Sequence, residues 1–243
     1  MTSRDAADRS TPVAPAAATP SATGPTPYYQ DDFATIYHGD CREVAMPPYP
    51  TTAVVSDPPY GMGWNTDSSR FSGGEPSSRQ RRVRGRTDWS PIANDDEPFD
   101  PTPWLVFEEV VLWGANHYAS RLPVGTTLVW IKRFDGGFGT FLSDAEVAWS
   151  KGGHGVYCRR DTSLMSHTGN RWHPTEKPVG VMRWCIDRTK ADLILDPFMG
   201  SGTTLRAAKD AGRKCIGIEI DERYCEIAAK RLAQEVLDFG GVA

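Results

Sequence analysis

Two short apolar runs that break abruptly into special turns narrow the folds open to this chain more than anything else in it. Ala53–Ser56 (AVVS) is β-branched and apolar and stops at Asp57-Pro58-Pro59. Leu193–Leu195 (LIL) runs into DPFMGSGTT. Continuous apolar strands of this kind are buried on both faces, as in parallel sheets. Further strands are expected at Thr35–His38, Thr126–Ile131, Ala145–Trp149 and Lys214–Ile218. Leu105–Trp113 reads as a helix-to-strand transition ending in VVLW. Helical spacing covers Val179–Thr189 and Thr203–Ala211, the latter stopped by Gly212. Asp221 is placed to cap a last helix reaching about Leu237. Strands alternating with helices give an α/β fold, a mostly parallel sheet with helices on both faces. Ligands of such sheets sit at the carboxyl ends of strands, where both turn motifs fall.

The 243 residues suffice for one domain with a substantial core and some excess. Residues 1–27 are rich in Ala, Pro, Ser and Thr, bury too little to offset ordering entropy, and are expected to be a disordered tail. The single domain then spans 28–243. Residues 61–100 are polar and too long for an ordinary connection, so a mobile functional loop is expected there. Residues 151–172, rich in Gly, Arg and Ser, read as a second irregular recognition loop. Five scattered cysteines without a CxxC pair suggest reduced thiols; no metal site is expected. The opening MTSRDAADRS has no charged n-region followed by an apolar stretch, and no run approaches the roughly 20 apolar residues of a membrane span, so a cytoplasmic location is expected.

The segment Leu193–Thr204 delivers an acid, Asp196, beside a turn of small residues, Gly200, Ser201 and Gly202, and then a helix starting at Thr203. Small residues let the backbone approach a ligand, and the helix N-terminus offers free N–H groups. The turn is neither GxxxxGK[ST] nor GxGxxG, which argues against an ATPase or a dehydrogenase. An acid here repels a pyrophosphate and suits an ammonium or sulfonium. S-adenosylmethionine carries both cations and no phosphate. The next strand ends in GIEID, with Glu219 and Ile220 at its tip. Glu219 is placed for ribose hydroxyls, the competing role being a helix cap, which Asp221 serves better.

Ser56–Tyr60 (SDPPY) follows directly on the other buried strand. Pro58 and Pro59 fix φ and stiffen the turn, so the Asp57 carboxylate and the Pro58 carbonyl can aim at one point. The nitrogen of an exocyclic amino group has its lone pair delocalised into the base. Two acceptors on its N–H bonds favour a pyramidal nitrogen and stabilise the positive charge that builds during methylation. Tyr60 can stack on the base. A base inside a duplex cannot reach such a pocket without flipping. Asn116 and His117 follow a strand end, and Trp130 and Lys132 either line the base pocket or pack.

These residues resemble the amino-group (N6-adenine and N4-cytosine) DNA methyltransferases. The likeness rests on DPPY (57–60), HPTEKP (173–178), DPFMGSGTT (196–204) and GIEID (217–221), with HGDC (38–41) upstream, and covers roughly 33–237. The catalytic motif precedes the cofactor motif, as in the family's permuted β group. The resemblance implies a Rossmann-like methyltransferase sheet with one antiparallel strand, its usual first two strands coming last in this chain. It implies S-adenosylmethionine as cofactor, with Asp40 and Cys41 near its adenine, Pro197 and Phe198 along the turn, and His173, Thr175 and Lys177 at its methionine end. Asp57 would border that site too. DPPY is more typical of adenine-N6 enzymes and SPPY of cytosine-N4 enzymes, so adenine N6 is the expected target. Double-stranded DNA is the expected substrate, with a second copy of the chain and a cognate restriction endonuclease as candidate partners. The alternatives are a cytosine-N4, RNA or protein-amide methyltransferase, the last disfavoured by Asp57, and a non-catalytic DNA-binding subunit of the same fold.

A net charge of −4 does not advertise a nucleic-acid binder, but charge distribution matters more than the total. Arg79, Arg81, Arg82, Arg84 and Arg86 crowd the 61–100 loop, Arg70 lies nearby, and Glu75 is the acid among them. They are expected to contact DNA phosphates and to order on binding, the alternative being a solvated charge run. Replacing Arg81, Arg82 and Arg84 with Ala is expected to flatten the fall of log affinity for DNA against log salt by up to about 2–3 in slope. An unchanged slope removes these side chains from the interface.

Overall fold

The computed structural model describes residues 25–44, 49–65, 91–139, 143–166 and 175–234. Eight strands form one sheet: β1 (Tyr29–Gln30), β2 (Ala34–His38), β3 (Thr52–Ser56), β4 (Glu109–Trp113), β5 (Gly125–Ile131), β6 (Ala145–Arg160), β7 (Leu193–Asp196) and β8 (Lys214–Glu219). Their order is β1-β2-β8-β7-β3-β4-β6-β5. The pairs β2–β8, β8–β7, β7–β3 and β3–β4 are parallel, while β4–β6 is antiparallel. β7 and β8 sit near the centre although they come last, which is the permuted arrangement expected from the motif order. A second antiparallel strand, β1, was not anticipated. The Asp31 carboxylate accepts from Phe33 N at 2.8 Å and Ala34 N at 2.7 Å, and this turn folds β1 back on β2.

Strand alternation separates two cores. Ala53, Val55, Val111, Trp113, Ile194 and Cys215 face one side, where they meet the helices α2 (Val179–Ile186), α3 (Thr203–Asp210) and α4 (Glu222–Ala233). Val54, Val110, Leu112, Leu195 and Ile218 face the other, against Phe99, Trp104, Phe107 and Tyr118. Among the described residues this second cover consists of loops and single 3-10 turns such as Thr102–Trp104 and Ala119–Arg121. A four-residue turn of helix, α1 (Ser163–Ser166), follows β6. Of the helix-to-strand transition expected over Leu105–Trp113 only the strand forms, and turns at 105–108 lead into β4.

Local chemistry sets the helix ends. Asp221 caps α4, its Oδ1 accepting from Arg223 N at 3.0 Å. At the end of α3, Gly212 takes φ +68°. Its N–H bonds the Lys209 carbonyl and that of Arg213 bonds the Ala208 carbonyl, each at 2.9 Å, a Schellman closure that needs glycine.

Residues 151–160 correct the expectation of an irregular segment, for they are strand. β6 pairs with β5 twice. Residues 145–151 run antiparallel to β5 (Ile131↔Ala145, Thr127↔Trp149), whereas 156–160 run parallel to it (Thr127↔Val156, Ile131↔Arg160). A strand has two edges, so the first half passes between β4 and β5 and the second flanks the far side of β5. Gly152 and Gly153, at φ +80° and +65°, make the turn between the halves. The glycines that read as loop are thus a corner, and VYCRR beyond it is a solvent-facing edge. The expected second recognition loop shrinks to 161–172, of which 167–172 lie outside the described residues.

Candidate functional site

The carboxyl ends of β3 and β7 lie side by side, with Val54 opposite Leu195. Just beyond, the Ser56 hydroxyl donates to Asp196 Oδ1 at 2.6 Å. Asp57 and Asp196 both open into one cavity of about 990 Å³ at this edge of the sheet. Tyr60, Glu146 and Lys177 line one part of it, and Asp40, Gly200 and Glu219 another.

On the DPPY side, Asp57 is held by two donors. Tyr60 Oη donates to Asp57 Oδ1 at 2.5 Å, and Lys177 Nζ donates to Oδ2 at 2.5 Å. Burial raises the Asp57 carboxyl above its usual range, against the pull of the Lys177 ammonium. The Tyr60 hydroxyl is pushed far up, first by burial and then by Asp57. The Tyr60 ring stacks on His117, with centroids 4.8 Å apart and planes at 13°. Gly114 lies against the same ring, where a Cβ would fall 2.0 Å from Tyr60 Cε1.

The other half is rich in acceptors. Asp196 is buried, accepting from Ser56 and, at 3.2 Å, from Phe198 N. Burial lifts its carboxyl to about 6, although Ser56, Thr204 and Phe198 N all favour the anion. Glu219 spans the two motifs, Oε2 accepting from Gly200 N at 2.9 Å and Oε1 from Asp221 N at 2.8 Å. Burial raises its pKa as well. Asp40 is paired with Arg42, which pulls its carboxyl down. Ser201 is tied to α4 through Arg231 Nη1, which donates to its carbonyl at 2.8 Å and its hydroxyl at 2.9 Å.

The expected residues mostly converge. Asp57, Pro58, Pro59 and Tyr60 line the cavity, as do Asp40, Cys41, Thr175, Lys177, Asp196, Pro197, Phe198, Gly200, Ser201, Thr203, Glu219 and Ile220. Gly202 does not; its φ is +78° and a Cβ there would lie 2.7 Å from Ala228, so it serves the packing of α3 on α4. The Lys177 ammonium, expected at the cofactor, is engaged by Asp57 and by Glu146 Oε2 at 3.0 Å. His173 and Arg79, Arg81, Arg82, Arg84 and Arg86 lie outside the described residues. Trp130 and Lys132 both border the cavity, Trp130 donating to the Asp161 carbonyl at 2.8 Å.

Two residues went unnoticed in the sequence. Glu146 looks like the polar face of an ordinary alternating strand, yet it joins Lys132 and Lys177 inside the site. Asp95 is buried, and its carboxylate accepts from the backbone N–H groups of Tyr60 (3.0 Å), Gly61 (2.9 Å), Met62 (3.3 Å) and Trp64 (2.6 Å). Gly61 packs so closely on Glu97 that a Cβ would lie 2.2 Å from its carbonyl oxygen. Residues 60–64 and 94–98 therefore clamp the two ends of the long loop together. The signal in the sequence is faint, an acid among several in NDDE.

Residues 129–230 match the family model for DNA methylases. YubD of Escherichia coli (strain K12), a methylase by name, is 28% identical over 204 residues, spanning 80% of this chain and 88% of that protein. The type II methyltransferase M2.DpnII of Streptococcus pneumoniae is 51% identical over 79 residues, 30% of this chain and 30% of that one. Among solved structures, the PvuII DNA methyltransferase (cytosine-N4-specific) shares the fold, with a TM-score of 0.56 at 15% identity over 87% of this chain and 90% of that one.

Replacing Asp95 with Ala removes the acceptor shared by four backbone N–H groups, and is expected to destabilise the fold by about 3 kcal/mol. It is also expected to slow turnover more than tenfold by loosening Tyr60. Asp95→Asn, which keeps one acceptor oxygen, should lie between. Thermal unfolding and single-turnover rates check this; a wild-type rate in Asp95→Ala would show that the clamp does not position the site.

Proposed function

We propose that this chain, which matches the DNA methylase family model over residues 129–230, methylates the exocyclic amino group of a flipped base in double-stranded DNA, with adenine N6 as target and S-adenosylmethionine as donor. The observation that carries the proposal is the single cavity shared by Asp57 and Asp196 at neighbouring strand tips. A donor molecule and an amino acceptor bound to these two groups necessarily lie next to each other, and proximity of this kind is a large part of catalysis.

The fit to S-adenosylmethionine rests on the donor set. Asp196, Glu219 and Asp40 line the cavity from the ends of β7, β8 and β2, while Lys132 and Lys177 enter from the opposite part of the sheet. A buried carboxyl raised to about 6 and answered only by neutral donors is suited to an incoming cation. Asp196 would meet the ammonium, Glu219 the ribose hydroxyls and Asp40 the adenine side. When bound, the cofactor supplies an electrophilic methyl group on a sulfonium. The remaining work belongs to the chain. Asp57 and the Pro58 carbonyl accept hydrogen bonds from the target amino group. That keeps the nitrogen lone pair available and stabilises the charge that develops on nitrogen. Tyr60 offers a ring for stacking, and the two prolines hold the carboxylate and carbonyl in fixed relation. The proton lost from nitrogen after transfer passes to Asp57 or to water. Adenine N6 is favoured over cytosine N4 by the aspartate that opens DPPY.

Asp57→Ala is expected to lower single-turnover methylation by about 10³-fold or more while cofactor affinity stays within a few fold. Near-normal turnover would remove Asp57 from the mechanism. Digesting the methylated DNA to nucleosides identifies the base: N6-methyl-2′-deoxyadenosine supports the assignment, and N4-methyl-2′-deoxycytidine replaces it by the other member of the pair.

The Asp196 carboxyl at about 6 lies above its value in an unfolded chain, so the folded, ligand-free protein holds that proton between about pH 4 and 6. A cationic ligand must displace it. The association constant for S-adenosylmethionine is therefore expected to be level above about pH 6 and to fall by up to about tenfold per unit below it. Asp196→Asn should bind more weakly and lose this dependence. A wild-type affinity independent of pH from 5 to 7.5 contradicts the role given to Asp196.

A further inference from the structure

The Asp57 carboxylate is one end of a chain of alternating charges. Lys132 Nζ donates to Glu146 Oε1 at 2.8 Å, Lys177 Nζ lies 3.0 Å from Glu146 Oε2, and Lys177 Nζ donates to Asp57 Oδ2 at 2.5 Å. The Lys177 side chain is 4% exposed. Its third near neighbour is Tyr60 Oη at 3.3 Å, and the rings of Trp113 and Tyr60 lie 5.8 and 5.9 Å from its nitrogen. An ammonium has three N–H bonds. Asp57, Glu146 and Tyr60 use all three, which leaves none for a ligand. We propose that Lys177, anchored by Glu146, is a positioning residue for methyl transfer: it fixes Oδ2 of Asp57 and balances its charge, so that the target amino group is received at Oδ1. The proposal rests on the reading of Asp57 given above.

The two bonds on Asp57 differ in how easily a substrate can replace them. Lys177 is held by Asp57 and Tyr60 of the turn after β3 and by Glu146 of β6. Tyr60 reaches Oδ1 from that turn with a neutral hydroxyl, whereas Lys177 holds Oδ2 as a buried ion pair. The Tyr60 hydroxyl is therefore the bond that yields. Without Glu146, Lys177 would lose the second anion that makes its burial tolerable, since an unpaired buried charge is strongly unfavourable. Lys132 plays the same part for Glu146. Burial pushes Glu146 up, but the two ammonium groups outweigh it and hold the carboxyl at about 2. Lys177 is raised above the usual lysine range by Asp57 and Glu146 in spite of burial. Both therefore keep their charges throughout the pH range of an assay.

The groups facing Asp57 have opposing effects. Burial and Glu146 of β6 raise its carboxyl, and Lys177 and the Tyr60 hydroxyl lower it. Asp196 of β7 and Tyr118 are coupled to it more weakly. His117, on the turn after β4, stacks on Tyr60 and borders the same cavity. Removing the lysine takes away the main cation, whereas neutralising Glu146 takes away an anion. The two changes should move the acid limb of the rate profile in opposite directions.

The experiment is the pH profile, from 5 to 9, of single-turnover methylation of cofactor-saturated enzyme. Lys177→Met is expected to lose at least about tenfold in rate at neutral pH and to shift the acid limb upward by about one unit or more. Lys177→Arg should restore the position of the limb even if its rate remains low. Glu146→Gln should shift the limb downward, and it keeps the test open should Lys177→Met not fold. A uniform loss at every pH, with the limb fixed in both Lys177→Met and Glu146→Gln, overturns the proposal. Asp57→Ala in the same assay separates the two levels. Turnover in Asp57→Ala sinks the underlying mechanism, whereas an inactive Asp57→Ala beside unmoved limbs sinks only the role of Lys177.

Discussion

Everything at this site depends on β3 and β7 being parallel neighbours whose ends stop together. That pairing sets two acids, Asp57 and Asp196, at adjacent strand tips, and buried like charges in such proximity oppose one another. The chain resolves the conflict differently for each. Asp57 has a resident cation, Lys177, and a phenolic donor. Asp196 has neutral donors only, the Ser56 and Thr204 hydroxyls and the Phe198 N–H, and its pKa rises to about 6. One acid is held ready as an acceptor, and the other remains short of positive charge until a ligand arrives. A difference in electrostatic environment thus divides two like residues into two roles.

The elements with unbroken apolar strands or strong helix punctuation were legible from the residues. AVVS before Pro-Pro and LILD before a glycine turn became β3 and β7, and Asp221 and Gly212 mark their helix ends as capping chemistry requires. What escaped was decided by partners distant in sequence. Lys177 is separated by 120 positions from Asp57, and no local pattern says which carboxylate a lysine will find. Asp95 is invisible for the same reason, since its partners are backbone N–H groups more than 30 residues away. β6 was misread beyond Ser150 because glycine pairs signal a loop and a tight corner equally well.

The antiparallel strand does more than complete the sheet. Parallel strands bring their carboxyl ends to the ligand edge, so only residues at strand ends and in the following turns can serve there. The first half of β6 runs the other way and presents its first residues, Ala145 and Glu146, at that same edge, with Glu146 paired to Trp130 and near Lys132. Glu146 is paired in the ladder with Trp130 of β5, and a side chain on a strand is held more firmly than one on a loop. Glu146 can therefore act as the fixed anion against which Lys177 is set, and Lys177 in turn orients Asp57, which sits on the turn after β3. The rigidity of the sheet reaches an acceptor outside it through two ion pairs. Asp95 supplies the complementary restraint on the other side of that turn, by backbone hydrogen bonds. The short DPPY turn is thus fixed from the sheet through Lys177 and from residues 94–98 through Asp95 at once.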